Sequence, residues 1–345
     1  MGPRGTRLSR DSAPIRMKPA NLKVAVAALS VLSNATLVVL KIVVGLLIGS
    51  VSVISEAIHS GVDLLASAIA LFAVRTSGRP PDERHPFGHG KVENISGTVE
   101  AILIFVAAGW ILYEAVHKIA YPEPIEEPGW GIGVMLLSVA ANLGVSHLLF
   151  KVARRTDSVA LDADAWHLRT DVYTSAGVMA GLGLIWLGDR LAPQLGDGLH
   201  LLDPAAAIVV AALILRAAWQ LTVRSTRDLT DSNLPEDEKE IRAVLQGFVP
   251  QVRGFHHLRT RKSGSTRFID FHLFVDGAMS VTASHRLAHE ISRLIHDRVG
   301  EASVTVHVEP CLGNCEHGCA EGCLLSESAR QAVREGLAGR AGPVA

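Results

Sequence analysis

Six long apolar stretches restrict this chain to very few folds. They cover residues 24–48, 52–74, 95–119, 130–151, 159–187 and 204–223. A helix needs roughly 20 residues to cross a hydrocarbon layer about 30 Å thick, and each stretch is long enough. Inside hydrocarbon no water can satisfy an exposed N–H or C=O, so each stretch must close its backbone hydrogen bonds within itself. The expectation is a membrane-spanning all-α bundle of six helices.

The loops between the stretches give the bundle a direction. Arg4, Arg7, Arg10, Arg16, Lys18 and Lys23 precede the first stretch, and Arg75, Arg79, Arg84 and Lys91 follow the second. Lys151, Arg154 and Arg155 follow the fourth, and Arg224 and Arg227 follow the sixth. The alternate loops, 121–129 and 188–202, hold a single basic residue, Arg190. Basic loops stay on the cytoplasmic side, which puts both termini in the cytoplasm of a multi-pass protein of the inner (plasma) membrane. Residues 1–22 are basic and polar without a signal-peptide layout, and are expected to be disordered.

Composition changes after the sixth stretch. Charged residues are only 19% of the 345, and those from 223 to 300 read as an ordinary soluble sequence. The chain therefore divides into the basic N-terminus (1–22), a transmembrane domain (23–224), a soluble domain (225–310) and a Cys-containing tail (311–345). In the soluble part, Pro235 and the acids 236–238 mark the start of a helix running to about 248. A short strand is expected at 255–261, then a turn at 262–265. Residues 266–275 alternate, with Phe268, Asp270, His272 and Phe274 on one face and Ile269, Phe271, Leu273 and Val275 on the other. An amphipathic helix at 284–299 and a strand at 303–309 complete an αββαβ module with its helices on one face of the sheet. Fewer than 80 residues make a small core, so self-association would help stabilise it. The net charge of −1 gives no reason to expect nucleic acid as a partner.

The chemistry lies in a spacing that occurs twice inside the apolar sequence: His59 with Asp63 in the second stretch, and His167 with Asp171 in the fifth. Four residues apart on a helix, two side chains share a face one turn apart. Ionisable groups inside a membrane are costly and mark ion pathways. Two imidazoles and two carboxylates are a full tetrahedral ligand set for a cation such as Zn2+. The carboxylates offset dehydration, and the imidazoles favour zinc over magnesium or calcium. Imidazole must be deprotonated to bind metal, so loading displaces protons and alternating exposure would couple metal export to proton entry. Asp82, His85 and His89 lie within eight residues of the loop after the second stretch and are a further set of potential ligands, against the reading of a solvated loop. Lys41 is read as snorkelling or pairing internally, and Asn34, Asn142 and His147 as bonding between helices.

Six spans, the duplicated His-x-x-x-Asp, the loop His-Pro-Phe-Gly-His-Gly-Lys-Val-Glu at 85–93 and the αββαβ module together resemble the cation diffusion facilitator family of divalent-metal/proton antiporters. The resemblance runs from about Lys18 to Pro310. It implies a homodimer whose soluble domains pair in a metallochaperone-like fold. It implies a transport site of His59, Asp63, His167 and Asp171, and a second site of Asp82, His85 and His89. It further implies a binuclear zinc site in the soluble domain from His256, His272, His285, His307 and Glu309, with His257 an adjacent alternative to His256 and Glu309 standing where many relatives have Asp. Lys91 and Asp231 match a charge interlock between the two domains. Two His and two Asp resemble the zinc-preferring pattern; Cd2+, Fe2+, Co2+ and Ni2+ stay open, as does a metal-sensing membrane scaffold that does not transport. Outside the resemblance, Cys311, Cys315, Cys319 and Cys323 recur every four residues, a thiol stripe if helical, and capture of zinc or copper(I) stands against an unstructured or redox-inert tail. No nucleophile elbow, phosphate loop or cofactor fingerprint is present, so an enzyme is not expected.

Overall fold

The computed structural model describes residues 19–48, 51–120, 131–191, 202–313 and 322–338. Residues 1–18 and the loops 121–130 and 192–201 lie outside them, so the N-terminal expectation is not addressed. Six long helices come first: α1 (Pro19–Ile48), α2 (Val51–Ser77), α3 (Lys91–Ala120), α4 (Gly131–Thr156), α5 (Val159–Leu191) and α6 (Leu202–Leu229). Five of them are long and apolar enough to cross a membrane. The sixth, α5, has the length but carries Asp162, Asp164, His167, Arg169 and Asp171 in its first half.

A helix this polar is tolerated in a bundle only when its neighbours cover it. Helix α5 packs against α4, α6, α3 and α2, while α2 also touches α1 and α3. Helices α2 and α5, the two bearers of the repeated spacing, therefore meet in the interior. On α5, Leu161, Ala163, Asp164, Ala165 and Leu168 are fully buried. Helix α6 runs two turns further than its apolar stretch and carries Arg224 and Arg227 out of the bundle.

The soluble domain follows the expected order, with α7 (Pro235–Gln246), β1 (Gly254–Ser263), β2 (Thr266–Val275), α8 (Val281–Val299) and β3 (Ala302–Pro310). Strand β2 is central, antiparallel to β1 and parallel to β3. Its Ile269, Phe271, Leu273 and Val275 face Ile241 and Leu245 of α7 and Leu287, Ile291 and Ile295 of α8. Helix α8 begins one turn before the expected start, because Ser280 Oγ caps the N–H of Ala283 at 3.2 Å. A bulge interrupts the β1–β2 register between His256 and Arg259, with His257 at φ 51°. A further helix, α9 (Glu327–Ala338), ends the described chain.

The soluble domain docks on one end of the bundle through the β1–β2 turn. Lys23 of α1, Gly90 and Asn94 at the start of α3, and Asp157 between α4 and α5 all contact residues 262–265. The basic loops thus gather at the end of the bundle that carries the soluble domain.

Candidate metal centre

Three groups of ligand atoms come together among the described residues. The first lies where α2 meets α5, with Asp63 buried, Asp171 half-buried and His59 exposed. His59 and Asp63 of α2 and Asp171 of α5 each offer an atom, all within 4.8 Å of one another. Helical spacing stacks His59 on Asp63, and the contact of α2 with α5 adds Asp171. His167, the fourth expected ligand, is placed one step back. Its Nε2 lies 3.2 Å from Asp63 Oδ1, and its Nδ1 is buried without a hydrogen-bond partner. A cavity of about 150 Å³ opens beside the group, bounded by Lys41, Ser60, Met135, Ser138 and Asn142. These residues lie on the side of Asp63 away from the soluble domain.

On the opposite side of Asp63 the bundle is closed by polar contacts the sequence reading did not identify. Asp164 Oδ1 accepts from Ser67 Oγ at 3.0 Å; Ser67 is bonded by Asn34 Nδ2 at 2.7 Å and Ser30 Oγ at 3.2 Å. Asn34 therefore ties α1 to α2, as its reading as an interhelical bond expected. Glu100, also fully buried, lies on α3. Nearer the soluble domain, buried Glu93 accepts from Lys23 at 3.0 Å and Ser77 at 2.7 Å, and takes a further short bond from Ser158. One carboxylate thus joins α1, α2, α3 and the start of α5. Acids within apolar runs were the available signal for Glu100 and Asp164.

The second group is the exposed loop before α3. His85 Nδ1 lies 3.2 Å from Asp82 Oδ1, and His89 Nε2 3.3 Å from Asp82 Oδ2. The backbone N–H of His85 bonds Asp82 Oδ1 at 2.7 Å and is the main reason this carboxyl is held below its ordinary range. All three expected residues are brought within 4.8 Å.

The third group is on the sheet. His256 on β1 is paired with His272 on β2, whose β3 partner is His307; Glu309 stands two positions along β3, opposite Phe274, and so shares the same face as these histidines. Glu309 receives His272 Nδ1 at 2.7 Å and His256 Nε2 at 3.0 Å, and His307 Nε2 lies 3.5 Å away. Partial burial acts to raise the Glu309 carboxyl, but these histidine contacts outweigh it and hold it below its usual range. His257 stacks near His272 at 5.1 Å between rings but is outside the ligand group. His285 is also outside it. It is exposed on the second turn of α8 against His289, ring centroids 4.6 Å apart. The interlock pair is in contact, Lys91 Nζ at 3.0 Å from Asp231 Oδ1, with Arg261 at 3.5 Å.

The tail departs from a continuous thiol stripe. Cys311 leaves β3 in an extended segment, its N–H bonded to Val275 O at 2.9 Å. Cys323 forms a β-bridge with Gly254. Neither is helical, because the end of the sheet offers free backbone groups that both pair with. Both are free thiols. Cys315 and Cys319 lie outside the described residues.

Comparison with known proteins agrees with this architecture. The model of the cation efflux transmembrane domain matches residues 27–230, and that of the cation efflux protein cytoplasmic domain (ZT_dimer) matches 234–311. The cation-efflux pump FieF of Yersinia pestis (strain Pestoides F) is 35% identical over 286 residues, covering 83% of this chain and 92% of its own. The uncharacterized transporter sll1263 of Synechocystis sp. is 36% identical over 265 residues, 76% of this chain and 82% of that one. Among solved structures, the metal-bound C-terminal domain of the CzcD transporter from Thermotoga maritima is 40% identical, covering 24% of this chain and 94% of its own at a TM-score of 0.22. With both the membrane and the soluble portions matched, the chain belongs to the cation diffusion facilitator family of cation-efflux transporters.

Proposed function

We propose that this transporter carries divalent transition-metal ions, zinc foremost, out of the cytoplasm in exchange for protons. The observation that carries the reading is the convergence of His59, Asp63 and Asp171 within 4.8 Å where α2 meets α5, with Asp63 buried, Asp171 half-buried and His59 exposed. His167, whose Nε2 shares the Asp63 carboxylate, completes a set of two nitrogens and two carboxylates. That mixture suits Zn2+ better than Mg2+ or Ca2+. Because both imidazoles bind metal only when deprotonated, loading the ion expels protons from the site and unloading readmits them.

The bundle stands in the inner (plasma) membrane with both termini in the cytoplasm, following the basic loops. In that orientation the cavity beside Asp63 faces outward, and the contacts of Asp164 and Glu93 close the cytoplasmic side. Asp82, His85 and His89 hold a second ion at the cytoplasmic mouth. His256, His272, His307 and Glu309 hold regulatory metal on the soluble domain, with His285 joining across a homodimer of that domain. The tail thiols are a lesser site. No catalytic step is assigned to the chain.

A flux assay in proteoliposomes, run across Zn2+, Cd2+, Co2+, Fe2+ and Ni2+ with an imposed pH gradient, tests the reading. Zinc flux driven by the proton gradient and abolished by Asp63→Ala is expected. Metal binding without flux would make the protein a sensing scaffold, and a different leading ion would move the selectivity.

A further inference from the structure

Helix α6 carries a basic stripe that serves neither the metal sites nor the joint between the domains. Arg216, Gln220, Val223 and Arg227 follow one another at steps of four, three and four, so they share one face of the helix. All four are exposed, and Trp219 beside them is 63% exposed. Both arginines are permanently charged. Among the described residues neither guanidinium has a hydrogen bond or an ion pair. Val223 ends the apolar stretch, and Arg216 lies seven residues deeper, about 10 Å along the helix. An exposed guanidinium at that depth faces lipid, where it is costly unless its head reaches the interface or an anion accompanies it. Tryptophan favours the headgroup level, which sets Trp219 at the same boundary.

Toward the soluble domain the stripe runs into an open groove of about 420 Å³. Trp219, Gln220, Val223 and Arg227 form its α6 wall, and Ser232 and Asn233 of the connector to α7 form the other. Two further charged residues border it. Arg224 pairs with Asp162 at 2.8 Å and Asp157 at 3.3 Å. Asp228 accepts from Asn94 Nδ2 of α3 at 3.0 Å, and no ion pair joins it to Arg227. The groove thus combines an apolar flank, an indole, hydroxyl and amide donors and an unpaired guanidinium, with a second guanidinium in line below it. These are the partners of a phosphodiester that carries acyl chains. A zwitterionic headgroup would bring its own cation in among the arginines; an anionic one would not.

We propose that this groove binds the headgroup of an anionic phospholipid from the leaflet on the soluble-domain side, held by Arg216 and Arg227 with Trp219 beside it. A lipid seated there touches both α6 and the connector, next to Asp231 of the interlock, and so braces the soluble domain against the membrane.

The test is native mass spectrometry of the full-length protein in neutral detergent, titrated with phosphatidylglycerol or phosphatidylcholine. The parent should hold phosphatidylglycerol about tenfold more tightly than phosphatidylcholine. Arg216→Gln and Arg227→Gln should each weaken phosphatidylglycerol binding about fivefold and leave phosphatidylcholine unchanged. Arg227→Lys keeps the charge and should stay near the parent. Arg155→Gln removes an exposed charge from the end of α4, outside the groove, and should change nothing. Phosphatidylglycerol should also raise the melting temperature of the parent by more than that of Arg227→Gln. Equal binding of the two lipids, or an equal loss in Arg155→Gln, would show a diffuse basic surface and overturn the proposal. Displacement of the lipid by glycerol phosphate at matched concentration would assign the groove to a free phosphate ester and also overturn it. If a second copy of the chain covers the stripe, the glutamine variants will change the mass of the assembly and not its lipid count, a third overturning result.

Discussion

Asp63 shows how one side chain acquires two roles. It meets His59 through the period of its own helix and meets His167 and Asp171 through the contact of α2 with α5. Asp63→Ala removes a proposed ligand and the partner of His167 together, so the proposed metal/proton exchange should vanish in a flux assay while the purified protein keeps its oligomeric state. Glu309 plays the corresponding part on the sheet, bridging histidines from β1 and β2. Glu309→Ala should weaken metal binding to the soluble domain by about tenfold or more, measured calorimetrically. Zinc-driven flux should persist in that variant. The repeated His-x-x-x-Asp was legible because helical geometry is local: a four-residue spacing fixes a shared face. The position of His167 was not, since it depends on the contact of α5 with α2, which supplies Asp63 as its partner.

At the scale of elements, the β1–β2 turn is the piece on which docking depends. Gly264 adopts φ +61°, and a Cβ there would lie 2.7 Å from the carbonyl of Gly90; a Cβ on Gly90 would lie 2.3 Å from Ser263 O. The turn enters only because two glycines face each other. Gly264→Val should cost about 1–2 kcal/mol from the left-handed backbone alone. The steric clash adds to that, and a spin-label distance between the turn and α3 should lengthen. Asp157 supplies the charge side of the joint, with Lys262 at 2.8 Å and Arg267 at 3.3 Å. Burial acts to raise this carboxyl, but Lys262, Arg267 and Arg224 together hold it below the ordinary 3.8. A depressed folded value means that ionised Asp157 stabilises docking fully above about pH 4, and that this stability is lost as pH falls through the lower folded value. The same label pair should report an intact joint at pH 5 to 7 and a loosened one toward pH 3. The hairpin was visible in the sequence as two alternating runs around a Gly-containing turn. Its insertion among the helix ends was not, because Asn94, Lys23 and Asp157 lie 170, 242 and 105 residues from their partners on the turn.

At the scale of the molecule, the tail is part of the soluble fold. Phe255 N–H bonds Gly322 O and Leu324 N–H bonds Arg253 O, each at 3.0 Å, and Leu325 is buried at 8% exposure. The segment thus covers the open edge of β1, which would otherwise present unpaired backbone groups. Truncation after Pro310 should destabilise the soluble domain by about 2–4 kcal/mol, from three lost backbone hydrogen bonds (that of Cys311 N–H to Val275 O included) and the loss of the buried Leu325. A lower melting temperature of the truncated protein checks it, with zinc-driven flux expected to survive at lower temperatures. A spacing of four suggested a helical stripe, yet the free edge of a sheet is a stronger attractor for an extended chain than an isolated short helix is for itself.

By itself the sequence determined the number of spans, the gathering of basic loops at one end, the αββαβ order and the two helix faces that carry His and Asp. These follow from hydrophobic runs, periodicity and loop charge, which act over neighbouring residues. Only the tertiary structure decided that α2 and α5 meet, that Lys41 shares their cavity and that Glu93 joins four helices near the docked turn. Those are contacts between residues far apart in the chain, selected by the high cost of leaving a buried charge or polar group without a partner.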